Sequence, residues 1–291
     1  NPFIHFLAGT RLRNQSVAST VDRILEPKVS ITLGRKAQDK TQLGIDTAWF
    51  EPNYQSMFNP QAAVGADWGV AGHAIALGID HRWLRRSSGH QLGQVSWGQS
   101  FQEDRGRSGQ GGPSGHRTNF QAALTPTAAI TGRLELSYQH RQNAIDSGFL
   151  SLSYRSPNDA LMRLQHRYRA SEQLFGQEAM APESSVSQIA LQVPIGKGFQ
   201  VKGLWGRNNR PSKDIESLLG VSYNGCCWSV EAAYRKTFDP KLAWVNGQYQ
   251  VDPQIRTGIF FSFELKGLMR MGSDMTRVFE RSVPEFAASG R

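Results

Sequence analysis

The two cysteines of this chain are neighbours, Cys226 and Cys227, and no other side chains invite a chemical reading so directly. A disulfide between adjacent residues is strained, because adjacent Cα atoms sit about 3.8 Å apart, below the usual range for bridged cysteines. Two readings follow. Each thiol bridges to a cysteine elsewhere in an oxidising compartment, or both are free thiols in a strand, the commoner state of a cysteine. Neither has the spaced Cys or His companions of a tetrahedral metal site, and the seven His are scattered. Ser, His and Asp are plentiful, yet no Gly-x-Ser-x-Gly elbow places a nucleophile. Glu103 and Asp104 stand in a polar stretch with nothing nearby in sequence to split their pKa values. The Gly-rich run from Gly109 to Gly115 lacks the Gly-Lys-Ser/Thr ending of a phosphate loop and reads as an extracellular loop. No enzyme, cofactor or metal is expected.

The elements that must hold these residues are strands. From Phe149 to Arg155, Leu150, Leu152 and Tyr154 fall on one face and Ser151, Ser153 and Arg155 on the other, a period of two. Leu134, Leu136 and Tyr138 alternate in the same way, as do Met162, Leu164 and Tyr168, and Ile189, Leu191 and Val193. Ile259, Phe261, Phe263 and Leu265 form a further set near the end. The segments run about 10 residues, the length that crosses a bilayer when tilted. A mean hydropathy of −0.45 and the lack of any long apolar stretch exclude helical spans, while alternating strands average to such a score. The net charge of +9 is dispersed along the strands, so a nucleic-acid patch has little support.

Short turns at Pro126-Thr127, Ser156-Pro157-Asn158, Ile195 to Gly198 and Asn224-Gly225 alternate with longer polar segments at 142–147, 171–184, 209–213 and 239–254. Earlier in the chain, polar loops are expected at 102–115 and 36–72, with a turn near 87–89. This is the short-periplasmic, long-extracellular rhythm of outer-membrane barrels. The expected fold is an all-β, antiparallel transmembrane β-barrel, with about 13 strands over residues 1–267 and a periplasmic tail over 268–291. An odd set cannot close as an ordinary bacterial single-chain barrel, and open edges in lipid cost several kcal/mol per unpaired group. The chain, which opens at Asn1 without Met or a signal peptide, therefore reads as a fragment or mature segment, the C-terminal portion of an incomplete wall. Parity puts Cys226, Cys227 and the tail at the periplasmic rim, and His81 and His140 read as lumen or rim residues.

The run Ser217-Leu218-Leu219-Gly220-Val221-Ser222-Tyr223-Asn224-Gly225-Cys226-Cys227-Trp228, followed by Ala233-Tyr234-Arg235-Lys236, resembles the C-terminal double-cysteine stretch of the LptD family of lipopolysaccharide-assembly proteins. Leu25-Glu26-Pro27, Leu152-Ser153-Tyr154-Arg155, Ala170-Ser171-Glu172-Gln173 and Phe263-Glu264-Leu265-Lys266-Gly267-Leu268 extend the likeness over nearly the whole chain from residue 25. Asp67-Trp68 and Val283-Pro284-Glu285-Phe286 depart from the family pattern. The resemblance implies an outer-membrane translocon that inserts lipopolysaccharide into the outer leaflet. Its partners would be an LptE-like lipoprotein plug and, through an N-terminal domain absent from this chain, an LptA-like periplasmic bridge protein. It also implies that Cys226 and Cys227 bridge to cysteines of that domain. The family's lateral gate maps onto Ile255, Thr257, Ile259, Phe261, Phe263 and Leu265.

On that reading, Arg133, Arg141, Arg163, Arg167 and Arg169 are candidate lumen cations for phosphates or the plug. The alternative is that they merely hydrate the lumen or form local ion pairs. A diffusion porin would share the alternation and the loop rhythm but has no evident need for paired cysteines. A soluble all-β binding module is the other alternative.

Overall fold

The computed structural model describes residues 3–15, 19–34, 48–49, 53–59, 63–64, 73–102, 115–170, 172–173, 180–181, 183–210, 212–245 and 248–272. Glu103, Asp104, residues 109–114, Asp67, Trp68 and residues 283–286 lie outside them. The chain divides into two compact units, Asn1–Ser151 with Arg167–Ser184, and Leu152–His166 with Ser185–Arg291. Among the described residues no helix is long and apolar enough to cross a membrane.

In the first unit, β1 (Phe3–Gly9) and β2 (Leu12–Asn14) both pair with β3 (Val21–Gly34). Within the polar connection that follows, β4 (Ala48–Trp49) and β5 (Ala63–Val64) form a small ribbon. β6 (His73–Arg85) then pairs with β3, and β7 (Gln91–Gln102), β8 (Gly115–Thr127), β9 (Ile130–Gln139) and β10 (Ala144–Arg155) continue the meander. The first unit also takes the end of β11 (Leu161–Arg169) and a second ribbon, β12 (Glu172–Gln173) with β13 (Met180–Ala181).

The second unit holds the end of β10 and the start of β11. From there the strand order runs through β14 (Ser184–Gly196), β15 (Phe199–Asn209), β16 (Ser212–Asn224), β17 (Trp228–Val245), β18 (Gln248–Leu265) and β19 (Met269–Gly272). The β14–β15 turn needs Lys197 at φ 36° and Gly198 at φ 89°, the left-handed pair of a tight hairpin; a Cβ on Gly198 would stand 2.5 Å from the Asn224 carbonyl.

Among the described residues fifteen strands join the antiparallel sheet, against about 13 expected. One extra is β2, split from the first expected segment, and the other is β19, which continues the sheet beyond Gly267. The loop expected at 239–254 is instead the arms of a hairpin whose register holds from Trp228↔Leu265 to Val245↔Gln248, with Pro240 opposite Pro253. Local composition there suggested a loop, but a continuous ladder overrides it. The expected loops at 142–147 and 209–213 shrink to short connections because β10 begins at Ala144 and β16 at Ser212.

In both units the usual burial pattern is inverted. Ile75, Leu77, Ile79, Trp97 and Leu136 in the first, and Ile189, Leu191, Trp205, Leu219, Val221, Ile259 and Phe261 in the second, are exposed. The opposite phase carries buried polar groups: Asp22, Glu26, Asp80, Ser96, Asn119 and Ser137, then Gln192, Lys202, Ser222 and Ser262. In water this would be unstable. In a bilayer, apolar residues face lipid and polar residues the interior, as a transmembrane barrel wall requires. Tilted rings cluster at the short-turn edge of the second unit, Phe199–Tyr223 at 4.5 Å and Tyr223–Trp228 at 4.7 Å, residue types that suit a membrane–water interface.

Candidate functional site

The inner face of the first unit is built on three carboxylates in phase with the polar side of their strands. Asp22 and Glu26 lie on β3, and Asp80 on β6, directly opposite Glu26. Arg13 holds Asp22 at 2.6 Å and Arg86 at 2.8 Å. Arg82 reaches Glu26 at 2.5 Å, and Arg11 also pairs with it. Lys28 meets Asp80 at 2.6 Å, while Ser96 donates to its other oxygen. Buried carboxylates are held by being paired and hydrogen-bonded throughout.

A short segment from the β3–β6 connection lies on this face. Asn53 and Ser56 hydrogen-bond each other, Asn53 Oδ1 accepting from the Ser56 amide at 2.8 Å and Ser56 Oγ from the Asn53 amide at 2.9 Å, at the start of a 3₁₀ turn over Ser56–Phe58. Tyr54 is 4% exposed and donates its hydroxyl to Asp80 at 3.0 Å. Burial, then the Asp80 charge, pushes the phenol above its ordinary value, so it remains a donor. Gly78 and Gly98 make the approach possible: a Cβ on the first would stand 2.6 Å from the Phe58 ring, and on the second 2.6 Å from Met57 Cε.

The candidate cations separate. Arg133 lies on β9, pairs with Glu135 and stands 5.9 Å from the Phe149 ring centroid. Arg167 stands 5.5 Å from the same ring. Arg169 ends β11, exposed. Arg141 sits in the exposed turn between β9 and β10 rather than on a strand. Arg163, in the second unit, donates to Gln165 at 2.8 Å. His140 lies in the same turn as Arg141 and stacks on His116 at 3.8 Å, a rim position. His81 follows Ile79 in the outward phase, its ring 4.4 Å from Trp83.

The second unit has a different interior. Leu161, Ala190, Leu204, Leu218 and Ala233 form a buried apolar cluster, with Phe260 packed against it. Each is in the inward phase of its strand, and the register joins them sideways: Ala190↔Leu204, Leu204↔Leu218 and Ala233↔Phe260. Around the row, Lys202 approaches Glu231 at 3.7 Å, and Arg235 donates to Glu216 at 2.7 Å.

The residues mapped to the gate all lie on β18. One edge of that strand is paired with β17 throughout. On the other edge β19 pairs only with Ser262 to Leu265, so Phe263 faces Met271 and Leu265 faces Met269. Among the described residues, Ile255, Thr257, Ile259 and Phe261 therefore lie where that edge has no partner strand. Ile255 also lines a hollow of about 400 Å³ with Lys213, Glu216, Lys236 and Phe238.

Cys226 and Cys227 are exposed free thiols in the β16–β17 turn, with sulfurs 2.9 Å apart, well beyond the roughly 2.04 Å of a bond. The hydrogen bond with Cys226 holds the Cys227 thiol above its ordinary value, opposed by Lys266. Lys266 also donates from Nζ to the Gly225 carbonyl at 2.6 Å, which ties the β18–β19 turn to the cysteine turn at one edge of the unit.

The carboxylate network and Tyr54 escaped sequence reasoning. The phase of Asp22, Glu26 and Lys28 was a usable signal, but nothing local announces that β3 pairs with β6 across a connection of nearly forty residues.

The model of the family LPS transport system D matches residues 10–196. The LPS-assembly protein LptD of Methylococcus capsulatus is 25% identical over 91% of this chain and 28% of its own length. The namesakes from Nitrosococcus oceani, 25% identical, and Saccharophagus degradans, 24% identical, cover 82% and 84% of the chain. The chain thus spans about three-tenths of the length of these relatives. A family match over well over half of the chain joins an inverted, all-antiparallel sheet: the chain belongs to the LptD family.

Proposed function

We propose that this chain is the C-terminal part of the barrel wall of an outer-membrane translocon that delivers lipopolysaccharide to the outer leaflet. The observation that carries the reading is the edge of β18 from Ile255 to Phe261, which has no partner strand among the described residues, in a sheet whose faces are otherwise arranged for lipid outside and polar contents inside. Unpaired backbone groups in hydrocarbon cost several kcal/mol each, so this edge must pair with a strand of the rest of the wall. That seam is the lateral exit: acyl chains cross it into the bilayer while the charged saccharide stays in the polar interior. A lipoprotein plug fills the interior, and a periplasmic bridge protein feeds it through the N-terminal domain. Cys226 and Cys227 face the periplasm and bridge to that domain; their exposure and separate sulfurs leave both free to do so.

The test is a reversible lock in the full-length protein: Thr257→Cys paired with a cysteine on the facing first strand of the wall. Oxidation is expected to stop the appearance of lipopolysaccharide at the cell surface, and reductant to restore it. Undiminished surface delivery with the lock fully closed would overturn the seam. For the bridges, non-reducing electrophoresis of Cys226→Ser and Cys227→Ser should each remove a mobility shift.

A further inference from the structure

We propose that Arg133, Arg167 and Phe149 form a binding site for an anionic saccharide, one bearing a phosphate or a carboxylate, on the inner face of the first unit. The sugar part of the proposal rests on the lipopolysaccharide reading above; the anion part rests on geometry alone. Phe149 shares its phase with the inward Ser147, whereas its neighbour Leu150 points outward and is exposed. An aromatic ring on a polar face needs a reason, and here it carries two guanidinium groups, Arg167 at 5.5 Å and Arg133 at 5.9 Å from its centroid. A guanidinium held against a ring keeps its N–H edge free to donate to an anion.

The three side chains line a cavity of about 120 Å³ together with Glu135, Ser147 and Asn53. At roughly 30 Å³ per water molecule the space corresponds to about four waters. One anionic group and the adjoining edge of a sugar ring fit; a whole oligosaccharide does not. Charge agrees with this assignment. Glu135 neutralises Arg133, while Arg167 is exposed and has no carboxylate partner among the described residues, so the cavity holds one cation in excess. Oxygens of the anion accept from Arg167 and from the remaining donors of Arg133. The Glu135 oxygen that Arg133 does not engage accepts from a sugar hydroxyl, which makes the site more than an anion trap.

The experiment uses the full-length protein in detergent, with glucose 1-phosphate, glucuronate, glucose and inorganic phosphate as probes, read by saturation-transfer NMR and calorimetry. Glucose 1-phosphate and glucuronate should each bind at least about tenfold more tightly than glucose or inorganic phosphate. Arg167→Gln should weaken both anionic sugars about tenfold, and Phe149→Leu, which keeps both charges, several-fold. Arg141→Gln, in the exposed turn, should change nothing, and heat-modifiable gel mobility shows that each variant is folded. Equal affinity for glucose 1-phosphate and inorganic phosphate, or wild-type affinity in folded Arg167→Gln, would overturn the site. Binding does not depend on export: a working seam lock without sugar binding rejects this site alone, while sugar binding with an ineffective lock rejects the translocon reading alone.

Discussion

On the inner face of the first unit, the carboxylates Asp22, Glu26 and Asp80 are each met by Arg or Lys, and a docked tyrosine completes the last. In the second unit the same strand phase carries Leu161, Ala190, Leu204, Leu218 and Ala233, with ion pairs beside the row. The outer faces do not differ in this way; both are exposed and apolar. Lipid imposes one requirement on the outside of every strand, whereas the inside answers to whatever each region holds. In the first unit that is a segment of its own chain and charged groups; in the second it is an apolar strip leading sideways to β18.

The sharpest way to break this contrast is Asp80→Ala. It would strand Lys28 and leave Tyr54 and Ser96 without their acceptor, so a loss of about 3–5 kcal/mol is expected in urea unfolding of the barrel in vesicles. A loss below about 1 kcal/mol would mean that the carboxylate ladder is not structural. Next come matched outward substitutions, Leu77→Arg in the first unit and Leu219→Arg in the second, each exposed on the apolar face. Both should cost about 2–4 kcal/mol in the same assay. Unequal costs would show that the outer faces also differ. Leu218→Ala should cost about 2 kcal/mol, the low end for a buried leucine because the row is a single layer thick. The smallest effect is kinetic. In the reduced protein, Cys226→Ala removes the hydrogen bond that raises the Cys227 thiol, so more thiolate is present near pH 8 and iodoacetamide should alkylate Cys227 faster, with an unfolding midpoint equal to that of the reduced parent.

Much of the wall was legible because its signal is local. The alternation of Leu150, Leu152 and Tyr154 against Ser151 and Ser153 already assigns the strand and its two faces. The cysteine turn was legible for the same reason, since Asn224-Gly225 marks the end of a strand. The hairpin arms at 239–254 look like a loop in the sequence, because their prolines and polar residues suit one until the opposite arm supplies a ladder. Of the five arginines proposed as interior cations, period two could suggest a phase for those in strands but could not distinguish Arg141, which falls in a turn, or reveal that Arg133 and Arg167 share Phe149.

By itself the sequence determined the class of fold, the faces of the strands and the position of the paired thiols, because backbone periodicity and turn chemistry act over a few residues. Only the tertiary structure decided that Glu26 stands opposite Asp80, that Tyr54 returns to the sheet, and that β19 pairs with β18 from Ser262 to Leu265. Those depend on register between distant segments, which is set by the summed pairing of whole strands and is written in no single stretch of the chain.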